Sequence, residues 1–424
     1  MAVAILSSPT VDRAKANAVT QTRPAGAVIR EWLAHPLASF YLVLSSAVLL
    51  LVIGMLMVWS ASSVEGQARF GDAYYFVRRQ VIFLAVGIPS MWWVATRSPR
   101  TLKVLGWLAI VGSLVLLAAT FVPGLGVSIK GNRNWLQLGT NLLRIQPSEF
   151  AKLAIVLWGA DVFARKRKLI TEPKHLLFPF IPVSALIIGL VILQGDLGTS
   201  LVLAAIVLMV LWSVGANWRI IAALLAGGAL AVFGLVMTSS HRMARIGGYL
   251  NPTGDSLGVN MQPLRAIYGL ASGGIFGVGL GASREKWGLL AEAHTDYVLA
   301  VIGEELGLVG TLMVLGLFLT LGYAGFRIAL RGDNAFHKIA AAGITSWFMV
   351  ETVLNVMVVL RLLPVLGVPL PLLSYGGSAL LANMLGLGVL LALSRQEPEA
   401  RRALERKAKL SRTRVSTVVQ DRRS

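Results

Sequence analysis

The sequence predicts an all-α polytopic integral membrane protein of about ten transmembrane helices. Both termini are expected to be cytoplasmic, with a long extracytoplasmic loop between helices 7 and 8. Three observations carry that expectation. The 424 residues are 56% hydrophobic and 14% charged, with a mean hydropathy of +0.71, which is the composition of a chain that lives in lipid. Apolar runs long enough to cross a bilayer recur between short polar turns. Lysine and arginine crowd into alternate turns, as the positive-inside rule requires.

The same composition excludes several classes. There is no cysteine, so no disulfide framework or thiolate metal site exists. The five histidines lack H-x-x-x-H spacing, which argues against zinc. A net charge of +19 would suggest nucleic acid in a soluble protein. In this chain it fits basic loops at an anionic lipid surface, so anionic membrane lipids are expected as partners and nucleic acid is not.

Residues 1–39 are Ala/Ser/Thr-rich and weakly basic, lack the apolar region of a cleavable signal peptide, and read as a disordered cytoplasmic tail. The predicted spans follow at 40–62, 80–96, 102–122, 149–164, 175–193, 197–213, 218–237, 297–325, 338–360 and 377–394. They make up a membrane domain over 40–395, with its long outer loop at 238–296. Residues 396–424, with Arg401, Arg402, Arg406 and Lys407, form a basic cytoplasmic tail, read as a surface helix or coil. With the N-terminus inside, 26 of the 39 Lys and Arg fall in cytoplasmic segments.

That orientation puts four unusual polar segments on the outer face. They are Asn132–Trp135 with Gln146–Lys152, then Gln194–Thr199, then the long loop with Arg242, Arg245, Arg265, Arg284 and Lys286, then Ser374–Ser378. Convergence of such segments on one cavity is how a polytopic enzyme builds a site. Thr295 is a natural N-cap, and Asp296 is expected near the first turn of the following helix, at its positive end. A carboxylate fixed at a membrane boundary beside a cationic loop suits a hydroxyl acting on a phosphate-bearing lipid.

The other motifs each have two readings. Gln146-Pro147-Ser148-Glu149 reads as a plain helix start. Glu149 with Lys152 one turn on, however, puts ionisable groups inside a membrane helix, where they mark function by default. Asp196 either N-caps the next helix or contributes to the site. Trp135 is either an interfacial belt aromatic or, with Arg133, a phosphate or sugar contact on an outer loop or re-entrant segment. The run Gly273-Gly274-x-x-Gly277-x-Gly279-x-Gly281 lacks a preceding strand, so it is no dinucleotide loop. It reads instead as a re-entrant loop that approaches lipid or helix backbone closely. Pro364, Pro369 and Pro371 before Gly376-Gly377 describe a broken segment lining a cavity. Glu304 lies about 80° around the helix from Asp296 and Glu305 about 180° away, both ~12 Å deeper. They are expected to pair with a buried cation such as Lys152 or to hold a neighbouring helix.

Taken together and in this order, these motifs resemble the SEDS family (shape, elongation, division and sporulation) over about residues 45–395. The pieces are Asn132-Arg133-x-Trp135, Gln146-Pro147-Ser148-Glu149-x-x-Lys152, Asp196-Leu197-Gly198-Thr199, Glu292-Ala293-His294-Thr295-Asp296, Glu304-Glu305-Leu306-Gly307 and Ser374-Tyr375-Gly376-Gly377-Ser378. Gly279–Lys286 looks more like the division members than the elongation members. The resemblance implies an inverting peptidoglycan glycosyltransferase that polymerises lipid II on the outer face of the cytoplasmic membrane, at the division septum. Asp296 matches the family's essential acid and is the implied general base, with undecaprenyl pyrophosphate leaving. Arg245, Lys152 and Arg133 are the implied phosphate contacts, with Trp135, Glu149, Asp196, Ser374 and Gly376 completing the substrate site. No cofactor is obligatory, although a divalent cation (Mg or Mn) could share the charge. Implied partners are lipid II, the nascent glycan strand, a cognate class B penicillin-binding protein and other divisome proteins. A lipid II translocase and a division scaffold are the alternatives. The chain departs from the family at Arg361 and Leu366, where Gly and Thr are usual, and at Ala291 and Tyr297, where Pro and Phe are usual.

Overall fold

The computed structural model describes residues 30–129, 131–137, 144–169, 172–251, 258 and 260–407. Most of the expected N-terminal tail and the end of the C-terminal tail lie outside the described residues. The helices are α1 (Ala38–Phe70), α2 (Tyr75–Ala95), α3 (Pro99–Ala119), α4 (Pro147–Arg165), α5 (Pro173–Leu177), α6 (Phe180–Leu193), α7 (Leu197–Val214), α8 (Trp218–Met237), α9 (Ser240–Leu250), α10 (Met261–Ser272), α11 (Val298–Arg331), α12 (Ala335–Val359) and α13 (Gly377–Ser394). Each of the ten predicted spans falls on one of these, with α5 and α6 sharing 175–193. Among the described residues, eight helices are long and apolar enough to cross a membrane, counting α5–α6 as one. The predicted spans outside that set are α2, with Arg78, Arg79 and Gln80 near its start, and α4, with Glu149, Lys152, Asp161 and Arg165.

Burial explains why α4 can carry so many charges. It is buried from Pro147 to Phe163 except at Phe150, wrapped by α3, α7, α12 and α13, so its ionisable groups meet protein rather than lipid. At the other extreme, α8 buries only Val236 and turns an apolar surface outward, as a lipid-facing helix should. Small residues set the closest helix contacts: a Cβ on Gly388 of α13 would lie 2.6 Å from the Met91 carbonyl of α2. After α13 the chain is helical again over 398–407, with Glu397 and Ala400 buried.

Two features depart from the expected picture. The segment before α4 is neither loop nor re-entrant helix. It is a small antiparallel sheet of β1 (Gly126–Ile129), β2 (Asn132–Gln137) and β3 (Arg144–Ile145), in that order, with Val127 opposite Trp135 and Leu136 opposite Ile145. Asn134 and Leu136 alternate inward along β2, a period of two in a stretch too short and polar to advertise it. The other departure is in α11, which is broken at Gly307 (φ 68, ψ −165).

The glycine run repairs that break. Val278 and Gly279 donate their N–H groups to the carbonyls of Glu304 and Glu305 at 2.9 and 3.1 Å. Leu308 and Val309 donate back to Gly274 and Ile275 at 2.9 and 3.1 Å. Backbone groups freed by the kink are thereby satisfied inside the membrane domain. The approach needs glycine: a Cβ on Gly277 (φ 81) would lie 2.2 Å from the Glu305 carbonyl, whereas one on Gly274 (φ 54) meets nothing within 4 Å. Gly274→Ala is therefore expected to cost about 1–2 kcal/mol of left-handed strain, and Gly277→Ala clearly more. Thermal denaturation midpoints in detergent check this, and equal midpoints would show that the loop is not seated on α11.

Candidate active site

The polar segments gather at one end of the bundle, beginning with the sheet. The Asp196 side chain takes three hydrogen bonds: Thr199 N–H on Oδ1 (3.0 Å), then Asn134 Nδ2 (2.8 Å) and Gln146 Nε2 (3.1 Å) on Oδ2. Arg133 N–H adds a bond to the Gln194 carbonyl at 3.0 Å. Asp196 thus caps α7 and also pins the sheet and the entry of α4 to it. Gln146 N–H in turn donates to Ser378 Oγ of α13 at 3.0 Å. The Arg133 and Trp135 side chains are half-buried on this sheet, and among the described residues no hydrogen bond or ion pair ties down the Arg133 guanidinium.

Asp296 joins the same end through the loop at 366–367, which touches both Gly198 and Asp296. It precedes α11 rather than entering its first turn, and Thr295 is not the N-cap: Tyr297 holds that position. The Thr295 hydroxyl is drawn back instead to Glu292, donating to Oε2 at 2.7 Å. Glu292 itself sits at φ 60, a conformation an L-residue holds only when its surroundings impose it. Next to it, His294 is buried, with its ring 4.5 Å from that of Phe76 and 5.4 Å from that of Tyr375, and Nδ1 3.3 Å from Glu65 Oε2. Tyr375 N–H donates to the His294 carbonyl at 2.9 Å, so the Ser374–Ser378 segment is tied to the strand of chain that carries Asp296. Burial pushes the Tyr375 phenol up, against the pull of Arg79.

The other contacts of Asp296 come from α12 and the loop after it. Asn355 Nδ2 donates to the main-chain oxygens of Asp296 (2.7 Å) and Val368 (2.8 Å). Gly367, at φ 71, lies so near that a Cβ there would be 3.6 Å from Asp296 Oδ2. The preceding residues run under α9: Arg245 Nη1 donates to the Val365 carbonyl at 3.3 Å, Tyr249 OH to Leu362 at 3.1 Å, and Arg361 Nη2 to Gly248 at 3.4 Å. The Tyr297 hydroxyl feels both the Asp296 carboxylate and the Arg245 guanidinium. The same loop presses on α7, where a Cβ on Gly198 would lie 2.0 Å from the Leu366 carbonyl. Arg361 stands at φ 57, a position glycine takes freely and arginine takes at a cost.

Lys152 is 1% exposed inside the bundle. Its ammonium sits 2.7 Å from Glu149 Oε2, bonds Glu351 of α12, and lies 5.5 Å from the Trp347 ring. Of the two expectations for Glu304 and Glu305, pairing with Lys152 does not form, whereas pairing with another buried cation and holding a neighbouring helix do, at Glu305. Glu304 accepts from Ser283 Oγ at 2.5 Å and Arg284 N–H at 2.9 Å, while Glu305 accepts from Ser60 Oγ of α1 at 2.6 Å and lies 3.8 Å from Lys286. These glutamates anchor the loop that leads to Asp296, and α1 besides. Ser374 Oγ closes its own turn by accepting from Leu370 N–H at 2.8 Å. Gly376 is extended at φ 172, at the N-cap of α13, so its backbone does not demand glycine.

Sequence reasoning missed Glu351 and Asn355. The signal was present: two polar residues at i and i+4 on one face of an apolar helix. Among the described residues no group of His, Asp and Glu is arranged to hold a metal ion.

Comparison with known proteins follows the same outline. A sequence model of the FtsW/RodA/SpoVE family, described as cell cycle proteins, matches residues 40–399. The chain is 36% identical over 373 residues to a protein of Mycobacterium tuberculosis named probable peptidoglycan glycosyltransferase FtsW, covering 88% of this chain and 71% of that one. It is 36% identical over 347 residues to stage V sporulation protein E of Bacillus subtilis, covering 82% and 94%. Among solved structures, the rod shape determining protein RodA of Thermus thermophilus matches with TM-score 0.62 at 27% identity, covering 87% of this chain and 99% of that one. A chain from a structure described as "Structural coordination of polymerization and crosslinking by a peptidoglycan synthase complex" matches with TM-score 0.67 at 28% identity, again covering 87% and 99%.

Proposed function

The chain belongs to the FtsW/RodA/SpoVE family, and on that premise we infer that it is a multi-pass membrane peptidoglycan glycosyltransferase, polymerising lipid II into glycan strands. The observation that carries the mechanism is Asp296, its main-chain oxygen bound by Asn355 and its carboxylate next to Gly367, on a loop that Arg245 ties down at Val365. In this reading the 4-hydroxyl of an acceptor GlcNAc attacks the anomeric carbon of a donor MurNAc. The new O4–C1 bond forms as the bond from C1 to the phosphate oxygen breaks, inverting the centre. The hydroxyl proton passes to the Asp296 carboxylate, and undecaprenyl pyrophosphate leaves. Arg245 and the untied Arg133 supply cations for the charge growing on the pyrophosphate. Trp135 offers a flat apolar face to a sugar. Lys152, shared between Glu149 and Glu351, fixes α4 against α12 and so supports the site from below. Asp196, Ser374 and Gly376 shape its walls.

The polar end then faces outward across the cytoplasmic membrane and the basic end, with both termini, faces the cytoplasm. A class B penicillin-binding protein is the proposed partner, and the division septum and its other proteins the setting. The test is glycan-strand formation from purified lipid II by the full chain with that partner. Polymer is expected. No polymer beside an active transpeptidase, together with lipid II movement across sealed vesicles, would replace this reading with translocation.

Asn355 gives a further expectation. Asn355→Ala removes both donors, leaving two carbonyls unpaired at about 1–3 kcal/mol each and freeing Asp296 from the 367–368 loop. It is expected to lower kcat roughly tenfold or more with KM little changed, as misplacement of a catalytic group does. A rise in KM at constant kcat would show that Asn355 serves binding instead.

A further inference from the structure

The far end of the bundle holds a cation cluster that the polymerase reading does not use. Asp161 of α4 is fully buried, and three side chains converge on it. Trp107 Nε1 of α3 donates to Oδ2 at 3.0 Å, Arg165 reaches Oδ2 through both Nε and Nη2 at 2.7 Å, and Lys103 Nζ stands 3.6 Å from Oδ1. Lys103 Nζ also lies 5.2 Å from the Phe336 ring of α12. The carboxylate is therefore a fixed anchor holding a lysine and an arginine at set positions.

Those two cations border an open groove of about 390 Å³, lined by Arg100, Lys103, Val104, Trp107, Leu108 and Arg165. Three cations against one buried carboxylate leave the groove with a surplus of positive charge. Asp161 uses only part of the donor capacity around it: lysine has three N–H donors and arginine five, and the side chains of Lys103 and Arg165 remain 36% and 67% exposed. Above the groove α3 shows an apolar stripe at Val104, Leu108, Val111 and Val115, each between 57% and 64% exposed. Spacings of 4, 3 and 4 residues keep these on one face of the helix. A cationic pocket at the end of an exposed apolar stripe matches a molecule with an anionic head and a long tail.

We propose that this groove is a binding site for one anionic glycerophospholipid, its phosphodiester on Lys103 and Arg165 and an acyl chain along Val104–Val115. A zwitterionic lipid is disfavoured, because among the described residues lining the groove none is acidic to meet a choline, and Asp161 beneath it is buried and engaged. Free phosphate would use the cations but not the stripe. The proposal stands apart from the polymerase reading, since it concerns the opposite end of the bundle.

The test is native mass spectrometry of the full chain released from detergent, titrated with phosphatidylglycerol or with phosphatidylcholine of the same acyl chains. The variant carries Lys103→Gln and Arg165→Gln together with Asp161→Asn, so that no buried carboxylate is left unpaired. A control carries Arg401→Gln and Arg402→Gln, two exposed cations elsewhere. Wild type and control are expected to retain one tightly held phosphatidylglycerol and to release it no faster in inorganic phosphate. The variant is expected to bind roughly 30-fold more weakly, about fivefold for each cation removed. Equal retention of phosphatidylcholine by wild type, displacement by inorganic phosphate, or unchanged phosphatidylglycerol binding in a variant of wild-type thermal stability would each overturn the site.

Discussion

Asp296→Asn and Asp296→Ala are expected to abolish strand formation while lipid II binding persists. A general base contributes about 10²–10⁴ in rate, enough to take polymer below detection in a single-turnover gel. The asparagine variant is the sharper of the two. It keeps the size of the side chain beside Gly367 and leaves the Asn355 bond in place, because that bond is made to the main-chain oxygen of residue 296. Loss in Asp296→Asn therefore reports the missing base. Polymer at the wild-type rate from Asp296→Asn would move the search to Glu149 and Asp196, although the structure commits both to partners of their own.

Lys152→Ala is expected to produce a large loss of stability. Its ammonium stands between Glu149 and Glu351, all three nearly inaccessible. Removing one partner of a buried pair costs about 3–5 kcal/mol, because the charge left behind keeps its desolvation penalty and loses its compensation. Here two carboxylates would face each other with no cation between them. Glu351→Gln is expected to cost much less, since Glu149 and Lys152 remain as a neutral pair. Thermal denaturation of the two variants in the same detergent measures the contrast. Similar midpoints would show that water reaches the triad and that burial does not decide its energetics.

The positions of the helices were legible because length and apolarity are local properties. The glycine run at 273–281 was legible in part: without a strand before it, close approach to lipid or to helix backbone remained, and the structure makes that approach onto Glu304–Val309. The N-cap of α11 was read two residues too early, at Thr295 instead of Tyr297. Thr295 has the side chain of a cap, but the strained turn at Glu292 captured its hydroxyl first. The sheet at 126–145 was missed because its short strands carry too few apolar residues to show a period of two, and it forms where Asn134 can reach Asp196.

By itself, then, the sequence determined a polytopic helical protein and the identity of its motifs, from which Asp296 is proposed as the base. Tertiary structure decided which charge meets which. Lys152 took Glu351 from a helix some 200 residues away instead of Glu304 or Glu305, and Asn355 took the backbone of Asp296. Such partners are set by how helices cross in three dimensions. In a low-dielectric interior an ionisable group must find a partner within a few ångströms, and no pattern along the chain says which helix will supply it.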